Sequence, residues 1–170
     1  MSTRSFITVL ESGKSISFGF DDLLKYHGPH YPGGVAHAFK VMELAFPLLD
    51  RKNLLERREI SIITPFSGPG ARDAFEMVTR AITEGRYTVD PALSQTQRGD
   101  VLKGYYFNLS YRNRAVAFQI KPGHVRDDFI ALSRKAGRTA DEEVHLAFLK
   151  EEMTKRLLAR RAFEIYEVVE

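Results

Sequence analysis

The run from Gly33 to Leu49, GGVAHAFKVMELAFPLL, limits the possible folds more than any other part of the chain. Val35, Phe39, Met42, Phe46 and Leu49 recur with the 3.6-residue period of an α-helix. Val41, Leu44 and Leu48 widen that stripe, and little stays polar beyond Lys40 and Glu43. A helix that is apolar almost all round belongs in the middle of a domain, with other elements covering it. The helix is expected over 34–49, with Pro47 kinking or ending it near its C-terminus.

The rest of the chain supplies the covering elements. Residues 1–19, rich in Ser, Thr and Gly, read as a short strand or an extended N-terminal arm. A short helix follows over roughly 21–27 and stops before Gly28 and Pro29. Ile60, Ile62 and Ile63 mark a buried strand within Glu59–Pro65. Ser67-Gly68-Pro69-Gly70 is a turn, and Ala71 to Thr83 has a helical inner face of Ala74, Phe75, Val78 and Ile82. Residues 85–99 read as loop. Val101–Tyr111 and Arg114–Lys121 form a predicted β-hairpin that turns at Arg112 and Asn113. A helix over 127–136 ends at Gly137. Thr139, with Glu142 three residues on, has the pattern of a capping box. It opens a last helix with an expected inner face of Val144, Leu146, Phe148, Leu149, Met153, Leu157 and Leu158. The tail, 163–169, has strand composition. The whole is expected to be a single α+β domain over 1–170, with a mixed sheet of about four strands backed by helices, and 139–170 supplying the C-terminal helix and strand.

Composition narrows the chemistry. The 170 residues contain no cysteine. Disulfides, thiolate metal ligands and a cysteine nucleophile are therefore excluded. The net charge of +3 permits an anionic partner without requiring one. No apolar run is long enough for a membrane span, and Met1–Glu11 lacks an apolar core of signal-peptide length, so a cytoplasmic protein is expected. Lys155-Arg156-Leu157-Leu158-Ala159-Arg160-Arg161 is the one basic cluster. It suits a helix C-terminus, and no aromatic-and-basic motif accompanies it, so nucleic acid is not the expected partner.

The polar residues concentrate just before the apolar helix, in His27-Gly28-Pro29-His30-Tyr31-Pro32-Gly33-Gly34. Both this turn and 67–70 lead into helix N-termini, where unpaired N–H groups and a partial positive charge favour anions. Gly33, Gly34 and Gly70 would let a ligand approach the backbone, while Arg72 and Lys103 could hold a carboxylate or phosphate. His27, His30 and His37 could instead offer three nitrogens to zinc, nickel or iron. A third possibility is acid–base catalysis, with His27 or His30 as base and Tyr31 as acid or hydrogen-bond donor. As a phenolate, Tyr31 would be a hard ligand of the kind some haem proteins use. Asp73 either orients a histidine or simply complements the dipole of its own helix. Ser67 lacks a GxSxG setting and a placed base, and His124 and His145 read as structural.

His27-Gly28-x-x-x-Pro32-Gly33 before an apolar helix resembles the HGHxCPG signature of the FmdE-like family of formylmethanofuran dehydrogenase proteins. Gly70-Ala71-Arg72-Asp73-Ala74-Phe75-Glu76 resembles that family's Cys-x-x-Asp-Ala-Ile-Gln segment, and Arg161–Val168 fits its ending. The likeness runs from about residue 20 to 168. It implies an α+β fold of the kind found in the catalytic domain of glyceraldehyde-3-phosphate dehydrogenase, a homodimer, and a transition metal or metal-containing cofactor, haem included, at the first motif. His27 and Asp73 match directly. Pro29 stands where the family has its second histidine, and Tyr31 and Gly70 stand where it has cysteines. The expected ligand is thus a metal, a metal-containing cofactor or a small anionic metabolite, with a non-catalytic interaction protein as a further alternative.

Overall fold

The computed structural model describes residues 4–169, and the fold is α+β. The expected arm is a β-hairpin of β1 (Phe6–Glu11) and β2 (Lys14–Gly19); its positions 1–3 lie outside the described residues. Ser12 and Gly13, at φ 50° and 78°, form a left-handed turn that matches the twist of paired strands. Alternation then sends Ile7, Val9 and Phe18 into the core. Helix α1 (Phe20–His27) follows and ends at Gly28, whose φ of 95° favours glycine.

Helix α2 (Pro32–Leu49) is the central helix that the apolar run demands. Burial is unbroken from Val35 to Met42, Lys40 included, whose ammonium pairs with Glu43 at 3.2 Å. Pro47 does not end it. Only one backbone hydrogen bond is lost there, and the Asp50 N–H still reaches the Phe46 carbonyl at 3.3 Å.

Five strands form the main sheet, in the order β4-β3-β5-β6-β7: β3 (Ile60–Thr64), β4 (Tyr87–Val89), β5 (Tyr106–Tyr111), β6 (Arg114–Ile120) and β7 (Tyr166–Val169). β3 and β4 are parallel and joined through α3 (Pro69–Thr79); the other pairs are antiparallel. The register aligns Ile62 with Leu109, Phe107 with Phe118 and Ile120 with Tyr166. These residues make up the buried face, against which α2 packs.

Several expected boundaries move. β4 is a fifth strand inside the segment read as loop, where three residues are too few for a visible period. The hairpin begins at Tyr106, because 101–104 is a turn. Helix α3 stops at Thr79, where Arg80 turns left-handed at φ 60°. The Glu76 carboxylate then accepts from the N–H groups of Ile82 and Thr83, at 2.8 and 3.0 Å, in place of further helix.

Helix α4 (Asp127–Arg134) leads to α5 (Ala140–Leu158), capped by the Thr139 hydroxyl, which accepts from the Glu142 N–H at 3.1 Å. Leu146, Leu149, Met153 and Leu157 are its buried stripe. Val144 and Phe148, expected on that stripe, are 72% and 62% exposed. At about 100° per residue, both sit well round the helix from it. The tail spends its first residues on a single helical turn, α6 (Ala162–Ile165), before β7 starts. Among the described residues, no helix is long and apolar enough to cross a membrane.

Candidate functional site

Helices α2 and α3 begin side by side. Each starts with proline, and neither has an acidic residue in its first turn or a side-chain N-cap. Their first N–H groups and partial positive charges are thus left without a carboxylate of their own. Glycine permits the close approach. A Cβ on Gly70 would stand 2.4 Å from the Tyr31 carbonyl oxygen, and one on Gly34 would stand 3.0 Å from the Ala71 nitrogen. Gly33 is less constrained, since a Cβ there meets the flexible end of Met153.

Beside this contact lies a cavity of about 410 Å³, reached by Gly33 and Gly34 from α2, by Gly68 just before α3 and by Gly70 within it. Its charged lining is Lys103, Arg134, Arg138 and Lys150 against a single acid, Asp100. Two of the four cations are in ion pairs. Lys103 pairs with Asp100 at 2.7 Å, and Arg138 pairs with Glu143 at 2.8 Å and caps α4 carbonyls. Arg134 reaches the Asp100 carbonyl at 3.2 Å. Lys150 differs. It donates to the His30 carbonyl at 3.2 Å and lies 4.2 Å from the centroid of the Tyr31 ring, with no carboxylate partner among the described residues. Burial, aided by the charge of Arg138, holds its pKa below the ordinary lysine value against the opposing charge of Glu143.

The inner wall is aromatic. Tyr105 and Phe66 are 5.0 Å apart between centroids, and His37 sits 4.7 Å from Tyr105. His37 is fully buried. Its Nδ1 bonds the hydroxyl of Tyr166 at 2.8 Å, and among the described residues its Nε2 has no partner. Burial, then the charges of His124 and Arg156, pull its pKa down to about 3, so the ring is neutral in ordinary buffers.

The predicted site residues divide into two groups. His27 Nδ1 meets Asp73 Oδ2 at 2.8 Å, one of the two roles open to Asp73. The His27 side chain is 6% exposed, and its Nε2 also lacks a partner among the described residues. Its ring lies 5.9 Å from that of Tyr31, yet only Tyr31 lines the cavity. His30 is exposed and touches the site only through its backbone carbonyl. His37 faces Tyr166 instead of joining His27 and His30, and among the described residues no group of three or more His, Asp or Glu is placed to hold a metal ion. The three-histidine ligand set is therefore not assembled in this fold. Arg72 is exposed beside Asp73 and outside the cavity, whereas Lys103 lines it. His124 bonds the Glu164 carbonyl at 2.8 Å, and His145 stacks on Phe148.

Lys150, Tyr105, Phe66 and Tyr166 carry no motif in the sequence. The first three line the cavity and Tyr166 stands behind it, bonded to His37, and only tertiary packing brings the four together. No protein-family model matches the chain, and no curated protein matches it.

Proposed function

We propose that this protein binds a small organic anion in the cavity between the starts of α2 and α3. One observation carries it: Lys150, a half-buried cation without an ionic partner among the described residues, faces a mostly apolar cavity onto which two helix N-termini open. Helix N-termini and a partly desolvated ammonium both favour a carboxylate or phosphate. The Phe66, Tyr105, Leu146 and Met153 side chains would take an apolar body. Cytoplasmic residence and a homodimeric state belong to the same proposal, as does divergence from the FmdE-like family. The family likeness has support in the two directly matched polar positions, His27 and Asp73, which are hydrogen-bonded. A thermal-shift screen of aliphatic and aryl carboxylates and phosphates tests the anion site. Stabilisation by one class, lost in Lys150→Met, is expected; an equal response from both proteins would overturn it.

One observation favours a second function. A carboxylate behind Nδ1 with Nε2 left free is how histidine is oriented for a metal or for proton transfer. His27 is so placed. Titration with zinc and nickel should then weaken in His27→Ala and stay unchanged in His145→Ala. Equal affinity in both would remove His27 from consideration.

A further inference from the structure

We infer that the anion taken by this cavity carries a neutral hydrogen-bond acceptor at its inner end, such as a ketone, amide or ether oxygen, and that the Nε2–H of His37 receives it. This rests on the anion site proposed above and adds the second end of the ligand.

Proton placement follows from the partners. The Tyr166 hydroxyl is buried and has His37 Nδ1, 2.8 Å away, as its hydrogen-bond partner. If it accepted from Nδ1–H, its own O–H would be left buried without an acceptor. If it donates, Nδ1 is the acceptor, both groups are satisfied, and the ring proton sits on Nε2. That Nε2–H is then a buried donor with no acceptor. His37 is among the residues that line the cavity and Tyr166 is not. The Nδ1 edge is thus committed to Tyr166, and Nε2, buried and unpartnered, is the polar atom the ring has left to offer a ligand. Among the described residues no other group bonds Nε2.

Charge separates the two ends. Lys150 marks the cationic end, and His37 is a neutral donor at the fully buried end. A second carboxylate placed there would be desolvated against an uncharged group, so a monoanion with an uncharged acceptor fits and a long dianion does not. Sites built to donate to a substrate oxygen discriminate strongly against analogues that lack it.

Matched probes test this by calorimetry: 4-acetylbenzoate against 4-isopropylbenzoate, and 6-acetyl-2-naphthoate against 6-isopropyl-2-naphthoate for reach, with terephthalate as the dianion. The acetyl compounds should bind at least about tenfold more tightly than their isopropyl partners, the effect expected of one buried hydrogen bond. Terephthalate should bind less tightly than 4-acetylbenzoate. The acetyl preference should vanish in His37→Asn, whose amide can still accept from Tyr166 but cannot reach the Nε2 position. It should persist in His37→Gln, whose amide can. If neither variant folds, the wild-type ¹⁵N resonance of His37 Nε2 gives the same answer, moving with acetyl probes and not with isopropyl ones. Equal binding of the paired probes, weakened in Lys150→Met, would overturn this inference and leave the anion site standing. No binding of any probe at millimolar concentration, or indifference to Lys150→Met, would overturn both.

Discussion

His27 and His37 stand ten positions apart around the start of one helix, and the fold gives them opposite partners. His27 has a carboxylate against Nδ1, and His37 has a phenol. A carboxylate only accepts, so in the neutral tautomer the His27 ring carries its proton on Nδ1 and leaves Nε2 as a lone pair. Tyr166 donates, so the His37 ring carries its proton on Nε2. Both Nε2 atoms are buried and unpartnered. One is therefore a free acceptor or ligand and the other a free donor. Side-chain type and spacing say nothing of this difference, because it lies entirely in which distant element supplies the partner.

The first way to break the comparison is to remove each ring. His37→Ala should lose about 3 kcal/mol of stability, since it opens a void among Tyr105, Phe66 and Tyr166 and strands the Tyr166 hydroxyl. His27→Ala should lose roughly 1–2 kcal/mol, because Asp73 is 24% exposed at its side chain and can turn to water. Urea unfolding measures both. Equal losses would mean that the two histidines have similar surroundings after all.

Acid should separate them next. In the unfolded chain His37 takes up a proton near 6.5, while in the folded chain it stays neutral down to about 3. The unfolded state thus binds more protons in that window, and stability falls as pH drops through 6.5, levelling off near 3. The charges that oppose protonation come from His124 and Arg156, while Tyr166 and Tyr105 face the ring as neutral phenols. Between pH 7 and pH 5 the loss from this one group should be roughly 2 kcal/mol. His37→Asn should flatten the curve over that range. An unchanged slope would show that His37 is protonated without penalty.

How much of this was legible in the sequence depends on how local the cause is. Periodicity and unbroken hydrophobicity placed α2, and the Thr139 cap and the turn at Arg112 are local signals that the fold keeps. The Asp73–His27 pair was one of two roles open to Asp73, and the choice needed α1 and α3 to pack together. Strand β4 is three residues long and gains its pairing from β3, so nothing local marks it. Val144 and Phe148 misled because a helix with apolar residues spread round it does not say which stripe will be covered. The cavity was the least legible feature. Its cation comes from α5, and the partner that sets the His37 proton lies 129 positions away in β7.

Trimming the partners instead of the rings should produce smaller effects. Tyr166→Phe leaves Nδ1 of His37 a buried acceptor without a donor and should cost about 1–2 kcal/mol. Asp73→Asn should cost less than about 1 kcal/mol, because an amide oxygen can still accept from His27 and the site is partly wet. Larger loss from Asp73→Asn than from Tyr166→Phe would invert the ranking.

The finest test costs almost no stability and addresses the protons themselves. Long-range ¹H–¹⁵N spectra of the protein at mildly alkaline pH distinguish a protonated ring nitrogen from an unprotonated one. For His27 the protonated nitrogen should be Nδ1, and for His37 it should be Nε2. Asp73→Asn should disturb only the first pattern, since the amide offers a donor as well as an acceptor and lets the His27 ring choose. Tyr166→Phe should disturb only the second, because Nδ1 of His37 then has no donor to hold the proton on the far nitrogen. If wild-type His37 carries its proton on Nδ1, the Tyr166 hydroxyl is the acceptor. The floor of the cavity then presents a lone pair in place of an N–H, and the ligand must bring a donor to it.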